Sequence, residues 1–184
     1  MKSTRAKVLH EIAGRSLLDH VLHAIAPLQA KEVRVVVGAS KDEVIAHLKE
    51  VSPASRTVLQ EVRGGTGHAV KLALENYSGG GSVLVCAGDT PLLTSETLTN
   101  LLNAHNSSKA SATVLTTEMP DPSGYGRVIR DNDGNLAEIV EERDATESQK
   151  QTLEINSGVY IFDLDELRVA LSQLSASNSQ KEEY

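Results

Sequence analysis

The chain of 184 residues is 40% hydrophobic and 23% charged, which suits one globular domain with a buried core and excludes a low-complexity protein. Its 25 acidic and 18 basic residues give a formal net charge of −7, which argues against a nucleic-acid or anionic-membrane surface. The single cysteine excludes an internal disulfide and a cysteine-based metal site. Because the chain has neither a transmembrane-length apolar run nor a signal-peptide core, we predict a soluble cytoplasmic protein.

The first 118 residues alternate between helical and strand-like patterns. "SLLDHVLHAIAPL" predicts a helix with Ser16 and Asp19 at capping-box spacing, and "SKDEVIAHLKEV" predicts a second helix with Ser40 and Glu43 at the same spacing. Two more helices are predicted at "HAVKLALENY" and "TSETLTNLLNAH". The intervening and following segments "EVRVVVG", "RTVLQ", "SVLVCAG" and "ASATVLTTEM" predict strands.

The pattern changes after Pro120. "YGRVIRDNDGNLAEIVEE" predicts two strands joined by a turn at "DNDG". "RDATESQKQ" predicts a polar helix, "INSGVYIFD" a strand, and "LDELRVALSQL" a last helix that begins after Asp163. Together these patterns predict a doubly wound α/β domain, with a mostly parallel central sheet and an antiparallel hairpin excursion in the second half.

Ligands of such open sheets bind beyond the carboxyl ends of the strands. Three segments reach that edge with reactive residue types: Gln60 with the glycine loop "RGGTGH", Gly88 with Asp89, and the segment 156–158. The glycine loop is open to three interpretations, namely a phosphate cradle, a reader of another group, or a turn.

The carboxylate of Asp89 has two interpretations from its local sequence alone. It follows an apolar strand, where one carboxylate, water and phosphate oxygens suffice to hold Mg²⁺. Alternatively, it only begins a turn or caps the next helix. Lys7 by itself suits an ordinary surface lysine, and Glu141 by itself suits a solvated run of charges.

Several segments, taken together, resemble one family. "KVLHEIAGRSLLDHVL", "LQEVRGGTGHAV", "VCAGDTPLLTSETL", "DPSGYGRVIRDNDGNLAEIVEERDA" and "EINSGVYIF" are similar to the uridyltransferase domain of the N-acetylglucosamine-1-phosphate uridyltransferases. The resemblance runs in order along the whole chain, and the motifs are jointly specific although each is weak alone. It implies a Rossmann-like nucleotidyltransferase fold and a single partial domain over residues 1–184, with a nucleotide-binding half (1–118) and a sugar-binding half (119–184).

The resemblance also implies a reaction, its partners and a cofactor. UTP and N-acetylglucosamine 1-phosphate would give UDP-N-acetylglucosamine and pyrophosphate with Mg²⁺ as cofactor. Because the attacking phosphate oxygen is already anionic, positioning and charge neutralisation would carry the catalysis.

The resemblance assigns roles to individual residues. Asp89 would hold Mg²⁺ and Lys7 would neutralise phosphate charge. The uracil readers would be Gln60, Gly65 and Thr66, which makes the glycine loop a base reader. The amino-sugar contacts would be Gly126, Glu141 and Asn156, with Tyr125 as a further candidate.

The chain also departs from the family. An apolar strand and a glycine-rich loop usually precede "MKS", and a second metal-binding asparagine usually follows the region that "KEEY" resembles. Ala6 replaces a usual proline, and Arg63 stands where a second glutamine is common. We therefore expect a fragment, a truncated gene product or a start-site error, with weak or no activity. If it is a fragment, we expect a strand-wide slot between residues 33–38 and 83–87 in place of direct pairing.

Two alternative functions stay open. The chain could be another sugar-phosphate nucleotidyltransferase of the same superfamily, or a catalytically inactive nucleotide-binding or assembly module. The sequence contains no hexapeptide repeats, so we predict no acetyltransferase activity in this chain. The pattern leaves a homo-oligomer open.

Overall fold

The computed structural model describes residues 5–38, 40–62 and 64–174. Expectations about Met1, Lys2 and Ser3, about Arg63, and about the "KEEY" segment lie outside these residues. The described helices are α1 (Leu17–Ile25), α2 (Lys41–Val51), α3 (Gly65–Leu74), α4 (Ser95–Ser108) and α5 (Leu164–Ser172). None of them is long and apolar enough to cross a membrane.

The strands follow the predicted order, with one small addition. They are β1 (Glu11–Ile12), β2 (Arg15–Ser16), β3 (Arg34–Val37), β4 (Arg56–Leu59), β5 (Ser82–Val85), β6 (Ala112–Glu118), β7 (Arg127–Arg130), β8 (Leu136–Val140) and β9 (Glu154–Asp163). The unpredicted addition is the two-residue hairpin of β1 and β2, which is too short for a sequence pattern to reveal.

Most helix starts agree with the sequence because side chains cap them. The hydroxyl of Ser16 accepts from the backbone N–H of Asp19 at 3.0 Å, and the carboxylate of Asp163 caps α5. The capping box expected at Ser40 is wrong: Ser40 makes no side-chain cap, and Glu43 Oε2 instead accepts from the N–H of Ala6 at 3.2 Å. The helix expected in "RDATESQKQ" is reduced to a single turn of 3-10 helix at Gln149–Gln151.

The α/β fold is confirmed, and its hydrogen-bonded pairing is divided between two main sheets. β3 and β4 pair in parallel. In the five-stranded sheet, β5, β6 and β7 all pair antiparallel with β9, and β8 forms the expected hairpin with β7. Parallel pairing is therefore less extensive than the βαβ pattern suggests, because β9 inserts antiparallel between β5 and β6.

An apolar slot separates the two sheets. Within the described ranges, β3 bonds only to β4, and β5 bonds only to β9. The cavity between them measures about 910 Å³ and is lined by residues 33–38 and 82–88, with helix α1 on one side and α3 on the other. This geometry confirms the expected slot and leaves one backbone edge of β3 and one of β5 without a strand partner.

Two apolar clusters hold the rest of the domain. One cluster lies between α1, α2 and β3 and centres on Leu18, Val37 and Leu48. The other packs α4 against β9 and centres on Leu98, which is fully buried, and Ile161. Because α1 contributes to both clusters, through Leu18 and Ala24, it bridges the two sheets.

A buried ion pair fixes the hairpin of β7 and β8. Arg127 is 2% exposed, and its guanidinium donates to Glu142 Oε2 at 2.6 Å and to the backbone carbonyl of Tyr125. Arg127 Nε is buried and has no hydrogen-bond partner. A buried guanidinium without a counterion would destabilise the fold. Glu142 supplies the counterion and so stabilises the buried position of Arg127 in the hairpin.

We predict that Glu142→Ala lowers the free energy of unfolding by about 2 to 3 kcal/mol, because it leaves the buried Arg127 charge without a counterion. The expected loss is below that of a fully buried pair because the Glu142 side chain is one-third exposed. Urea unfolding measures the loss. The matched control is Glu138→Ala on the exposed face of β8; equal losses in the two variants would contradict the prediction.

Hydrogen exchange tests the slot. Successive amides of a strand point to opposite edges, so alternate amides of β5 face either β9 or the slot. We predict that the slot-facing amides exchange about a hundredfold faster than those bonded to β9. Tyr160 and Phe162 serve as the internal control, because β9 is paired there on both edges. Uniform protection along β5 would show instead that a partner covers the slot in solution.

Candidate functional site

Lys7 and Asp89 meet at the carboxyl end of β5. The Lys7 ammonium contacts Asp89 Oδ2 in an ion pair, with the Asp89 side chain 23% exposed and Lys7 largely exposed. Lys7 begins the 3-10 turn Lys7–Leu9, which the buried side chain of Leu9 anchors. Two residues far apart in the sequence, each ordinary by its local pattern, are thus brought into direct contact.

The turn after β5 presents Asp89 to this edge. A Cβ on Gly88 would lie 3.3 Å from Leu18 Cδ1, so the glycine lets the backbone pass close to α1. The Thr90 hydroxyl donates to the carbonyl of Ala87 at 2.9 Å and closes the turn. Helix α4 is capped by Thr94, so Asp89 does not cap the following helix. Its carboxylate faces Lys7 instead.

Helix α3 begins at Gly65, three residues earlier than predicted, so residues 65–68 of the glycine loop form its first turn. A Cβ on Gly64 would lie 2.5 Å from His68 Nδ1, and Gly65 has φ +92°, which strains any other residue. Gln60 Nε2 donates to the carbonyl of Gly65 at 3.2 Å and lies 3.1 Å from His68 Nδ1. The loop and helix therefore fix the Gln60 carboxamide, whose Oε1 accepts no hydrogen bond from the part of the chain that the structure describes. His68 is a supporting residue that was not among the predicted site residues.

One cavity connects these residues. Lys7, Gln60, Thr66 and Gly88 line the same 910 Å³ cavity as the apolar slot. Thr66 is exposed and Gln60 is half-buried. Three of the predicted nucleotide-site residues, Lys7, Gln60 and Thr66, therefore line one cavity. A fourth, Asp89, is joined to Lys7 by the ion pair.

A second group forms where the hairpin meets β9. The register pairs Arg127 with both Val140 and Ile155, which places the next residues, Gly126, Glu141 and Asn156, side by side. A Cβ on Gly126 would lie 3.1 Å from Glu141 Oε1 and 3.6 Å from Asn156 Cβ. The N–H of Asn156 donates to the carbonyl of Gly126 at 2.9 Å. The three predicted sugar-contact residues therefore lie in one cluster.

Glu141 occupies an unfavourable position for a charge. Burial raises the pKa of its carboxyl above the ordinary value of 4.5, and repulsion from Asp144 raises it further. Tyr125, the further candidate, is 45% exposed on the neighbouring loop, and its carbonyl accepts from Arg127. The ion pair of Arg127 and Glu142 therefore holds the chain beside Gly126 and beside Glu141.

Tyr160 joins this cluster and was not selected from the sequence. Its hydroxyl accepts from Asn156 Nδ2 at 2.5 Å. The alternation of side chains along a strand places Asn156 and Tyr160 on the same face, but four positions apart. The irregular backbone at Gly158, where φ is +76°, brings the two side chains close enough for the hydrogen bond. Burial raises the Tyr160 pKa, the hydrogen bond from Asn156 opposes that shift, and the nearby Glu141 charge raises it further.

Metal-binding capacity rests on a single side chain. Among the described residues, no three His, Cys, Asp or Glu side chains come close enough to enclose a metal ion. Asp89 offers one carboxylate oxygen pair at an open edge. This set fits a hard cation that takes its other ligands from water and phosphate, and it does not fit a closed structural site.

Comparisons with known proteins find a matching family and several similar proteins. Residues 1–152 match the family described as the MobA-like NTP transferase domain. The chain is 49% identical over 189 residues to the bifunctional protein GlmU of Thermobifida fusca and 50% identical over 187 residues to that of Streptomyces avermitilis. Both alignments cover all of this chain and 39% of the relative, so the chain spans about two fifths of the length of these relatives.

Solved structures show the same fold at low sequence identity. HddC from Yersinia pseudotuberculosis aligns with a TM-score of 0.70 and 19% identity, covering 99% of this chain and 74% of HddC. The structure of HddC complexed with GMP-PN aligns with a TM-score of 0.67. Because the family match spans well over half of the residues, the chain belongs to the family of MobA-like NTP transferase domains.

Proposed function

We propose that the chain carries the catalytic centre of a sugar-1-phosphate uridyltransferase, which forms UDP-N-acetylglucosamine and pyrophosphate from UTP and N-acetylglucosamine 1-phosphate. The observation that carries the proposal is the Lys7–Asp89 ion pair at the mouth of the cavity that Gln60 also lines. An ammonium and a carboxylate at one sheet edge suit a polyphosphate and its cation. The relatives named GlmU support the same reaction class.

The residues match the charge changes of this reaction. An oxygen of the sugar phosphate attacks the α-phosphorus of UTP, the bond to the β-phosphate oxygen breaks, and pyrophosphate leaves with the electron pair. The nucleophile is anionic, so the site needs no strong base. Lys7 brings a cation to the charge that develops on the phosphate oxygens, and its contact with Asp89 holds it at the edge before substrate arrives.

Asp89 is the residue that would hold Mg²⁺. The cation, when bound, lowers the charge repulsion between the two phosphates. One carboxylate is sufficient because Mg²⁺ retains water and takes phosphate oxygens. Lys7 would then exchange its contact with Asp89 for a contact with phosphate.

Uracil recognition rests on the fixed carboxamide of Gln60. Its Nε2 faces Gly65 and His68, so Oε1 is the atom left to accept the single ring N–H of uracil. Thr66 and the backbone of Gly65 would supply donors to the uracil carbonyls. The glycines permit this close approach, so we propose that the loop reads the base.

The amino sugar would be bound by Gly126, Glu141 and Asn156. In this proposal residues 1–118 bind the nucleotide and residues 119–184 bind the sugar. Glu141 accepts sugar hydroxyls, and the absent side chain at Gly126 leaves room for the ring. We also propose a cytoplasmic location, and we assign no nucleic-acid or membrane partner.

Pyrophosphate release tests the proposal. With UTP, N-acetylglucosamine 1-phosphate and Mg²⁺, we expect release of pyrophosphate. Other sugar phosphates and other nucleoside triphosphates should be poorer substrates. A preference for a different sugar or base would favour another member of the superfamily, and a folded chain that neither reacts nor binds UTP would favour an inactive assembly module.

We predict that Asp89→Asn abolishes the Mg²⁺-dependent part of UTP binding and lowers turnover at least about a hundredfold, because the metal loses the carboxylate charge of Asp89. Calorimetric titration with UTP, with and without Mg²⁺, measures the binding. Asp42→Asn, on the exposed side of α2, is the matched control and should behave as the unaltered chain. Unchanged Mg²⁺ dependence in Asp89→Asn would refute the metal assignment.

We predict that Glu141→Gln stabilises the fold at pH 7 while it weakens sugar-phosphate binding about tenfold. The pKa of Glu141 is raised in the folded chain, so the unfolded chain ionises first and ionisation opposes folding. Below the ordinary pKa of 4.5 the carboxyl is protonated in both states, and the gain in stability should vanish there. Thermal unfolding from pH 4 to pH 8 checks the sign; a variant less stable at pH 7 would contradict it.

A further inference from the structure

We propose that Tyr160 is a positioning and specificity-determining residue of the amino-sugar subsite, where its hydroxyl orients the Asn156 carboxamide and offers its own hydrogen to a ligand oxygen. The proposal rests on the proposed function for the identity of the ligand. The hydrogen bond from Asn156 Nδ2 to the Tyr160 hydroxyl, at 2.5 Å, is the contact that carries it.

The Asn156 side chain is held at both ends. Its Nδ2 donates to the Tyr160 hydroxyl, and its Oδ1 accepts from the N–H of Gly158 at 3.0 Å. A free asparagine can exchange its oxygen and nitrogen by a half-turn of the amide, which reverses donor and acceptor. Here the half-turn would set Nδ2 against an N–H group, so the two contacts select one orientation.

The Tyr160 ring is fixed independently of its hydroxyl. The ring stacks on Phe162 with centroids 5.6 Å apart, and Tyr160 pairs across the sheet with Val85. Removal of the hydroxyl alone therefore leaves the packing of the ring in place. This separation makes the role of the oxygen testable without loss of the fold.

The hydroxyl has one hydrogen left to donate. A phenol accepts and donates at once, and the structure records Asn156 as the donor to Tyr160 but no acceptor for the Tyr160 hydrogen among the described residues. Glu141 lies beside the same asparagine, since a Cβ on Gly126 would be 3.1 Å from Glu141 Oε1 and 3.6 Å from Asn156 Cβ. An amino sugar offers the matching groups, since its acetamide carbonyl and its hydroxyl oxygens accept such a hydrogen.

Tyr160 also lies at the junction of the two residue groups. Its cross-strand partner Val85 ends β5, four residues before Asp89, and its hydroxyl contacts Asn156 of the sugar-contact cluster. A change at this hydroxyl would therefore affect sugar-phosphate binding directly. It should leave UTP binding unaffected, because Gln60 and Thr66 lie across the cavity from β9.

Two measurements on the full chain test the proposal: calorimetric titration with N-acetylglucosamine 1-phosphate, and the NMR signal of the Asn156 side-chain amide, assigned by its loss in Asn156→Asp. We expect Tyr160→Phe to shift that signal, speed its exchange with solvent, and weaken sugar-phosphate binding about fivefold to tenfold without changing UTP binding. Tyr77→Phe makes the same chemical change away from the subsite and should alter neither measurement.

The outcomes distinguish the proposed role of Tyr160 from the proposed uridyltransferase function. An unmoved Asn156 signal in Tyr160→Phe overturns the positioning role, and a moved signal with unchanged sugar-phosphate affinity overturns the specificity role. If the unaltered chain binds no N-acetylglucosamine 1-phosphate, the proposed function fails for this ligand. The Asn156 signal then still decides whether Tyr160 orients the amide.

Discussion

The pairing of β9 with three other strands is the constraint on which the domain depends. β5, β6 and β7 each bond to β9, so this one strand joins the turn that carries Asp89 to the hairpin that carries Gly126 and Glu141. Its core-facing side chains, Val159 and Ile161, are almost fully buried against α4. A shift of β9 by one residue would expose them and move Asn156 to the opposite face, so the apolar core and the proposed sugar subsite require the same register.

The proposed ligand-binding residues are held in place by contacts with neighbouring residues. Arg127 lies under the hairpin, His68 supports Gln60, and Gly88 lets the chain pass α1. These contacts reduce the motion of the residues that would meet substrate, which is the source of preorganised binding. The cost is visible at Glu141, whose raised pKa shows that the fold holds a charge where burial disfavours it.

The slot between β3 and β5 concerns both stability and function. Its walls are apolar strands and helices, and it opens at one end onto Lys7, Gln60 and Gly88. Helices α1 and α3 flank the slot, so anything that changes its width also moves the supports of the nucleotide residues. A backbone edge without a partner costs free energy when it is also shielded from water. The strand edges of β3 and β5 that lack a hydrogen-bonding partner therefore lie next to the residues that would bind the triphosphate.

By itself the sequence determined the α/β class, most helix starts, the hairpin at "DNDG" and the absence of a disulfide, because periodicity, caps and turn residues act over a few neighbouring positions. Its motifs and their resemblance to one family also selected the site residues. Only the tertiary structure decided that Lys7 meets Asp89, that β9 lies antiparallel between β5 and β6, and that His68, Arg127 and Tyr160 support the site. Those contacts join residues that lie apart in the sequence or depend on an irregular backbone, and no local pattern encodes such a distance or a hydrogen bond across it.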